Sequence, residues 1–139
     1  MFLDADVLIA GSASTTGASY LILRLAELGA IKGLSSDQVR AECERNLAKK
    51  LPEALPLFRA IADVAVDWLD DPTEEGRRRL RGQGHPKDLP ILAAALAAGC
   101  ETIITFNVRD FRPKGNLIRV ERPAEFLERL RDELSTIAD

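Results

Sequence analysis

Five acidic side chains, far apart in the sequence, fall at positions that a fold could bring to one crevice. Asp4 directly follows an apolar run at the start of the chain, and Asp6 comes two residues later. Asp110 follows another apolar run, rich in β-branched residues, while Glu42 and Asp88 lie in segments with helical patterns. We predict that Asp4, Glu42, Asp88 and Asp110 form one acidic site.

The crowding of carboxylates limits the chemistry that such a site can perform. Carboxylates close together repel one another and take up protons unless a cation neutralises them. Mg²⁺ or Mn²⁺ prefers hard oxygen ligands, and such an ion can activate water and stabilise charge on a phosphodiester. The single histidine and the two separated cysteines argue against zinc. GxxxxGK[ST] and GxGxxG are both absent, which excludes the commonest phosphate-loop and dinucleotide motifs.

Apolar segments suited to short strands alternate with helical segments, which predicts one α/β domain over residues 1–139. The predicted strands cover residues 1–3, 31–36, 64–69, 102–106 and 117–123. The predicted helices include 18–28, 37–50, 89–99 and 124–134, and a short basic helix that ends at residue 81. GSASTTG at 11–17 is predicted as a loop, and 64–69 could instead be the end of a helix. The alternation favours a central parallel sheet of four or five strands flanked by helices.

The predicted sheet explains how distant acids could meet. In open parallel sheets, ligands bind outside the carboxyl ends of the strands, at the point where strand order reverses. Asp4 follows the first strand, and Asn107 and Asp110 follow the strand at 102–106, so we predict that these two strands are central neighbours. Helical residues such as Glu42 and Asp88 can reach the same edge.

Each acid also has a structural explanation without function. Asp88 in a first helical turn could complement the helix dipole, and Glu42 could be an exposed helix acid like Glu44. Asp110 could belong to a turn with Asn107.

The overall charge does not identify a partner. The net charge is −3, so contacts with phosphates would have to come from local basic patches. Two candidate patches are Arg77, Arg78, Arg79 and Arg81, and Arg109, Arg112 and Lys114. Both could equally be solvated surface.

Nothing in the sequence predicts a membrane segment. The longest apolar stretch, at 89–99, is far shorter than the roughly 20 residues of a spanning helix, and no basic region precedes an apolar run at the N-terminus. Cys43 and Cys100 lack metal-binding or redox spacing, which favours reduced thiols and a cytoplasmic location.

Three blocks of the chain together resemble the PIN-domain nucleases. FLDADVLIAG resembles the family's opening strand with Asp-x-Asn/Asp, and LSSDQVRAECERNL resembles its Ser-capped helix with a central Glu. HPKDLPILAAALAAGCETIITFNVRDF is similar to its Asp-led Ala-rich helix, strand, Thr and short acidic loop. The blocks occur in the family's order and span residues 2–111.

This resemblance implies an Mg²⁺- or Mn²⁺-dependent nuclease that acts on RNA. The positions that match the family's metal-binding acids are Asp4, Glu42, Asp88 and Asp110. Thr105 matches a supporting hydroxyl residue, and Asp6 falls where the family often has Asn, which implies an orienting role. Asn107 stands where many members carry Asp, so the resemblance implies one tightly held metal and a second that arrives with substrate.

PIN domains of this length resemble VapC-like toxins of bacterial toxin–antitoxin pairs. The resemblance implies a small antitoxin partner whose tail enters the acidic groove, often with an arginine. It also adds weight to a homodimer, which we predict from the apolar helical face formed by Tyr20, Leu21, Leu25 and Leu28.

Two other functions are compatible with parts of the pattern. Asp4-Ala-Asp6 after a strand mimics the nucleophile motif of haloacid-dehalogenase-like phosphatases, but Val7-Leu8 replaces the expected Gly-Thr, and Lys87-Asp88 fits the late motif poorly. A PIN-like module that binds a partner or RNA without cutting is favoured by Asn107 and disfavoured by the four acids.

Overall fold

Within residues 1–115 and 117–138, which the computed structural model describes, five strands alternate with seven helices. The strands are β1 (Phe2–Leu3), β2 (Gly33–Ser36), β3 (Val66–Leu69), β4 (Thr102–Ile104) and β5 (Arg119–Glu121). The helices are α1 (Ala5–Ala13), α2 (Ala18–Glu27), α3 (Asp37–Lys50), α4 (Leu55–Ala65), α5 (Glu74–Arg78), α6 (Leu89–Ala97) and α7 (Pro123–Ala138). Short 3₁₀ turns cover Pro52–Ala54, Pro86–Asp88 and Val108–Asp110. Asn116, in the segment before the last predicted strand, and Asp139, the end of the predicted domain, lie outside the described residues.

The strands form one parallel sheet in the order β3-β2-β1-β4-β5. From β1 the chain builds outward to β2 and β3 on one side and later adds β4 and β5 on the other. Strand order therefore reverses between β1 and β4, where Phe2 pairs with Ile103 and Leu3 with Ile104. The predictions of an α/β fold and of β1 and β4 as neighbours are confirmed, and the sheet has five strands.

The central strands β1 and β4 consist of residues that lie wholly in the core. Phe2 and Leu3 are successive residues, so their side chains point to opposite faces of the sheet, and both are fully buried. Ile103 and Ile104 in β4 are likewise fully buried. Helices thus cover both faces of the sheet, as a parallel sheet requires. Only the strand ends are left to reach solvent.

Helix α1 is longer than predicted, because it continues through Gly11 to Ala13 where a loop was expected. A Cβ atom on Gly11 would collide with the Leu23 side chain and lie 2.9 Å from the Ser19 carbonyl oxygen. This glycine therefore allows α1 and α2 to pack closely and does not end the helix. The predicted stop of α2 is confirmed, since Gly29 has a φ of +77° just beyond its end.

Several further boundaries differ from the predictions. Strands β2 and β5 are shorter than predicted, and α6 ends at Ala97. Val64 lies in α4, so β3 begins only at Val66. Helix α5 ends at Arg78 because the amide of Arg81 donates to the carbonyl of Arg78, a tighter i to i+3 bond. Helix α7 begins at residue 123 and runs to 138, beyond the predicted 124–134.

The strand β4 ends before Phe106, which was predicted to lie within it. The Phe106 amide donates to the side chain of Asp6 at 3.0 Å and not to a strand carbonyl. Phe106 is 45% exposed as a result.

Cys43 and Cys100 are both buried free thiols. None of the helices in residues 1–115 and 117–138 combines the length and apolar character needed to cross a membrane.

A largely buried ion pair attaches α7 to the sheet. Arg129 Nε and Nη2 donate to the two carboxylate oxygens of Glu121 at 2.7 and 3.0 Å, and Thr102 Oγ1 donates to Glu121 at 2.7 Å. The Glu121 side chain is only 12% exposed. Burial raises the pKa of Glu121, but the hydrogen bonds from Arg129 and Thr102 outweigh it, and the net pKa lies below the ordinary value of 4.5.

We expect Arg129→Met to lower the free energy of unfolding at pH 7 by about 1.5–3 kcal/mol, because Glu121 would stay buried without its charged donor. The lowered pKa of Glu121 means that the pair's contribution is present above pH 4.5 and is lost as the pH falls below it. Urea unfolding at pH 7 and pH 3.5 should show a smaller loss at the lower pH. Arg131→Met, which removes an exposed arginine from the same helix, should change stability little. Equal losses for Arg129→Met at the two pH values would contradict this role.

Candidate active site

Asp4 lies at the carboxyl end of β1, where the strand passes directly into α1. Its amide donates to the Ile104 carbonyl at 3.1 Å, which continues the pairing of β1 with β4. Its Oδ1 accepts from the Ala5 amide at 2.7 Å and so caps α1. Asp4 is 7% exposed. The end of β1 and the start of α1 together hold this carboxylate at the point where the strand order of the sheet reverses.

Thr105 connects the ends of the two central strands. It follows β4, is fully buried, and its Oγ1 donates to Asp4 Oδ2 at 2.9 Å. The same oxygen accepts from the Asn107 amide at 3.0 Å and lies 3.4 Å from Asp6 Oδ2. One hydroxyl thus positions the Asp4 carboxylate and the loop after β4.

Asp6 holds that loop against the start of α1. Its Oδ2 accepts from the Phe106 amide at 3.0 Å and from Asn107 Nδ2 at 3.1 Å. Its Oδ1 is buried and has no hydrogen-bond partner among the described residues. A buried carboxylate oxygen without a partner is costly, which makes it a candidate contact for a ligand.

Asp88 enters the same region from the turn before α6. It occupies the cap position of α6 but makes no side-chain hydrogen bond to the amides of that helix. Its Oδ2 is buried and lacks a partner within residues 1–115 and 117–138. A hydrogen-bonded helix cap therefore does not account for this acid.

Asp110 and Asn107 do form a turn, as the structural explanation proposed. The Asp110 amide donates to the Asn107 carbonyl at 3.0 Å. The turn uses only main-chain atoms of the two residues, while the Asn107 side chain contacts Asp6 and the Asp110 side chain is half-buried. The turn and a role for the Asp110 carboxylate are compatible.

A short antiparallel contact, which we call the loop bridge, joins the segment before Asp88 to the segment around Asp110. Gly84 pairs with Phe111, the His85 amide donates to the Asp110 carbonyl at 2.8 Å, and the Arg112 amide donates to the Gln83 carbonyl at 2.6 Å. A Cβ atom on Gly84 would lie 2.7 Å from the Asp110 carbonyl oxygen. The loop bridge was not predicted. Its only sequence signal was Gly84, the second glycine of GQGHP.

Glu42 reaches the site from α3 and differs from its neighbour Glu44. Although Glu42 is exposed as a residue, partial burial of its carboxyl group raises its pKa, and the charge of Asp4 raises it further. Glu44 accepts hydrogen bonds from Arg59 at 2.8 and 3.0 Å, which lower its pKa. The charge of Asp4 therefore raises the pKa of Glu42, whereas the pKa of Glu44 is set by its pairing with Arg59.

The acids of the site raise one another's pKa. Burial is the main cause at Asp6 and at Asp88, where the pKa rises to about 6, and the charge of Asp4 adds to both. Asp110 raises the pKa of Asp88 further. Burial also raises the pKa of Asp4, against the hydrogen bonds from Thr105 and Ala5, and the charge of Asp110 adds to it. Asp4 is the acid that these effects share: its charge raises the pKa of Asp6, Glu42 and Asp88, and the charge of Asp110 raises the pKa of Asp4 and Asp88.

Lys87 supplies positive charge to this environment. Its ammonium group lowers the pKa of Asp4, Glu42 and Asp88. Lys87 was not predicted as a site residue, and its only signal was its place beside Asp88.

The side chains of the site fit a divalent cation in chemistry, although they do not form a complete coordination sphere. Within residues 1–115 and 117–138, no three Asp, Glu, His or Cys side chains form a group that could hold a metal ion. The buried carboxylate oxygens without partners among the described residues are Asp6 Oδ1 and Asp88 Oδ2, and both are hard donors of the kind that Mg²⁺ and Mn²⁺ prefer. A cation there would also offset the repulsion that raises the pKa values.

Comparison with known proteins identifies the family but no individual relative. A search of curated proteins found no match. A family model described as a PIN domain matches residues 1–109, which include Asp4, Glu42 and Asp88 and end one residue before Asp110. Because the match covers 109 of the 139 residues, the chain belongs to the PIN-domain family.

Proposed function

We propose that this protein is a metal-dependent endoribonuclease that cleaves RNA phosphodiester bonds. The PIN domain is a nuclease-type fold. The observation that carries the proposal is the buried Asp88 Oδ2, which has no partner among the described residues and lies within the electrostatic reach of Asp4 and Asp110. An uncompensated carboxylate oxygen among like charges is stable only if a cation or a proton joins it.

In this proposal Mg²⁺ or Mn²⁺ is held by Asp4, Glu42, Asp88 and Asp110. When bound, the ion would activate water and stabilise charge on the phosphodiester. Thr105 keeps the Asp4 carboxylate in place by its 2.9 Å hydrogen bond, and Asp6 holds the loop that carries Asn107. Lys87 adds positive charge close to where a phosphate would bind.

The basic residues near the loop bridge support a nucleic-acid substrate. Arg109, Arg112 and Lys114 are exposed, and within the described part of the chain none of them forms an ion pair with an acid. In the other predicted patch, Arg78 and Arg79 are paired with Glu74 and Glu75 at 3.0 and 2.8 Å, while Arg77 and Arg81 form no ion pair among the described residues. The segment next to Asp110 is therefore the better candidate for phosphate contacts.

We further propose that the protein is the toxin of a toxin–antitoxin pair and acts in the cytoplasm. The support is the resemblance to VapC-like toxins, together with two free thiols that suit a reducing compartment. A small antitoxin that placed an arginine among these acids would compete with a metal ion for the same negative charge.

Two alternatives make different demands on the same residues. A PIN-like module that binds RNA without cutting is favoured by Asn107, whose amide donates to Asp6 and supplies no charge. It would bind RNA whether or not the acids were intact. A haloacid-dehalogenase-like phosphatase is disfavoured by membership of the PIN-domain family, and by the passage of the chain directly from Asp4 into α1.

A homodimer through α2 is a separate proposal. Of the predicted face, Tyr20 and Leu25 are half-buried, while Leu21 is 47% and Leu28 is 71% exposed. Leu21 also lines an apolar groove together with Leu134 of α7, so the exposed face is continuous across two helices. A second copy of the chain would remove this surface from water.

Sedimentation velocity at tens of micromolar should give the mass of a dimer, and Leu21→Glu with Leu28→Glu should give that of a monomer, because two charges would be buried in the interface. Val64→Glu, which puts the same charge on an exposed residue of α4, should leave the dimer intact. A wild-type protein that sediments as a monomer would refute the dimer and leave the nuclease proposal unaffected.

The nuclease proposal predicts that Asp4→Asn and Asp88→Asn each reduce cleavage by about 100-fold or more, since loss of a carboxylate weakens a sparse cation site. Asparagine can still cap α1 at position 4, so the fold should persist. The measurement is the cleavage rate of a mixed RNA pool with Mn²⁺, with circular dichroism to verify folding.

Glu44→Gln is the matched control, because its carboxylate is paired with Arg59 away from the site. Its cleavage rate should stay near that of the wild type. Undiminished cutting by Asp4→Asn and Asp88→Asn, or equal cutting in a chelator, would refute the mechanism. Tight RNA binding without cutting by the wild type would favour the non-catalytic alternative.

A further inference from the structure

A separate cavity of about 270 Å³ adjoins the acidic site on the side of α1 and α7. Its lining is mostly apolar, with Ala10 and Phe106 among the apolar residues, and its polar residues are Ser14, Thr16, Ser19 and Arg122. These residues come from α1, the loop after it, α2, the segment after β4 and the residue that precedes α7. None of their side chains was assigned to the acidic site above, which Phe106 contacts through its backbone amide.

The cavity and the acids are directly connected. The Phe106 amide donates to Asp6 Oδ2 at 3.0 Å, so the backbone of a cavity residue is bonded to an acid of the site. Ala10 is four residues after Asp6 in α1, which puts it one turn farther along the same face of the helix. A molecule bound across the acids could therefore extend into the cavity without leaving this face.

Phe106 is an unusual residue for such a position. Its neighbour Thr105 is fully buried, whereas the Phe106 side chain is 45% exposed beside a charged site. The hydrogen bond from the Phe106 amide to Asp6 holds the backbone from which the ring extends. A fixed, exposed aromatic ring is the surface on which unpaired bases stack in single-stranded nucleic-acid complexes.

Four residues of the lining carry polar side chains. Arg122 is held at the start of α7, where its amide donates to Glu125 Oε1 at 3.0 Å and its guanidinium lies 3.6 Å from the same oxygen. Ser14 and Thr16 provide exposed hydroxyl groups. Ser19 is 6% exposed, and its hydroxyl lacks a partner among the described residues. An aromatic face beside a guanidinium and hydroxyls suits a planar, hydrogen-bonding ligand better than an aliphatic one.

We propose that this cavity binds one unpaired base of an RNA strand that crosses the acids, with Phe106 stacking on the base and Arg122 and the hydroxyls contacting its edge. The inference rests on the proposed ribonuclease function and adds a base-binding site to it. A base within a duplex is stacked and paired and could not enter the cavity, so only an unpaired stretch of RNA could use it. The cavity would also give the enzyme a preference among bases.

The test is fluorescence anisotropy with 5′-labelled homopolymeric RNA octamers of the four bases, in EDTA so that no strand is cut. Phe106→Ala should weaken binding about 5- to 150-fold, which corresponds to the loss of one base stack, and should reduce the preference among the octamers. Phe106→Tyr should bind like the wild type. Phe106→Leu, which keeps an apolar side chain without an aromatic face, should bind like Phe106→Ala.

Leu57→Ala is the matched control, since it removes an apolar side chain that is 49% exposed on α4, and it should bind the octamers like the wild type. Affinity equal to the wild type in Phe106→Ala and Phe106→Leu, or a wild type that binds none of the octamers, would overturn the base cavity. If the wild type still cuts RNA with Mn²⁺ in that case, the nuclease proposal stands. If the octamers bind as expected but no RNA is cut, the nuclease proposal fails and the base cavity remains.

Discussion

The hydrogen bond from Thr105 Oγ1 to Asp4 Oδ2 joins the ends of the two central strands, and the rest of the site is arranged around it. Both residues are almost entirely buried, so neither can move far without disturbing β1, β4 or the start of α1. Asp6 then holds the loop after β4, and the loop bridge ties the segments of Asp88 and Asp110 to each other. Acids from distant parts of the chain are thereby kept close despite their mutual repulsion.

Keeping these acids together costs stability while no cation is bound. The pKa of Asp6 and of Asp88 rises to about 6, mainly because of burial and further because of the charge of Asp4. A carboxyl group whose pKa is higher in the folded than in the unfolded state lowers stability as the pH rises from the ordinary value of 3.8 through 6. At neutral pH the metal-free fold therefore carries a penalty that a bound cation would offset. The same repulsion that strains the fold would give the site its affinity for a cation.

The residue pattern could predict the α/β fold and the order of its central strands, because these follow from periodicity and from the polar residues at strand ends. Asp4 after one strand and Asp110 after another were enough to expect neighbouring strands, and β1 and β4 are neighbours. Residues whose role depends on loop conformation could not be predicted in this way. Gly84 permits the loop bridge, and Lys87 lowers the pKa of acids from three segments. The Phe106 amide donates to Asp6 and not to a neighbouring strand. Each of these roles depends on contacts between segments that are distant in the sequence.

We propose above all that the carboxylates at the ends of β1 and β4 and before α6 together form one binding site for a divalent cation. The most direct measurement is the anomalous scattering of Mn²⁺ in crystals of the protein. We expect a peak in direct contact with carboxylate oxygens of Asp4 and Asp88, with the carboxylates of Asp110 and Glu42 close to it. A saturated crystal in which Mn²⁺ binds elsewhere, or leaves these two carboxylates without a peak, would contradict it.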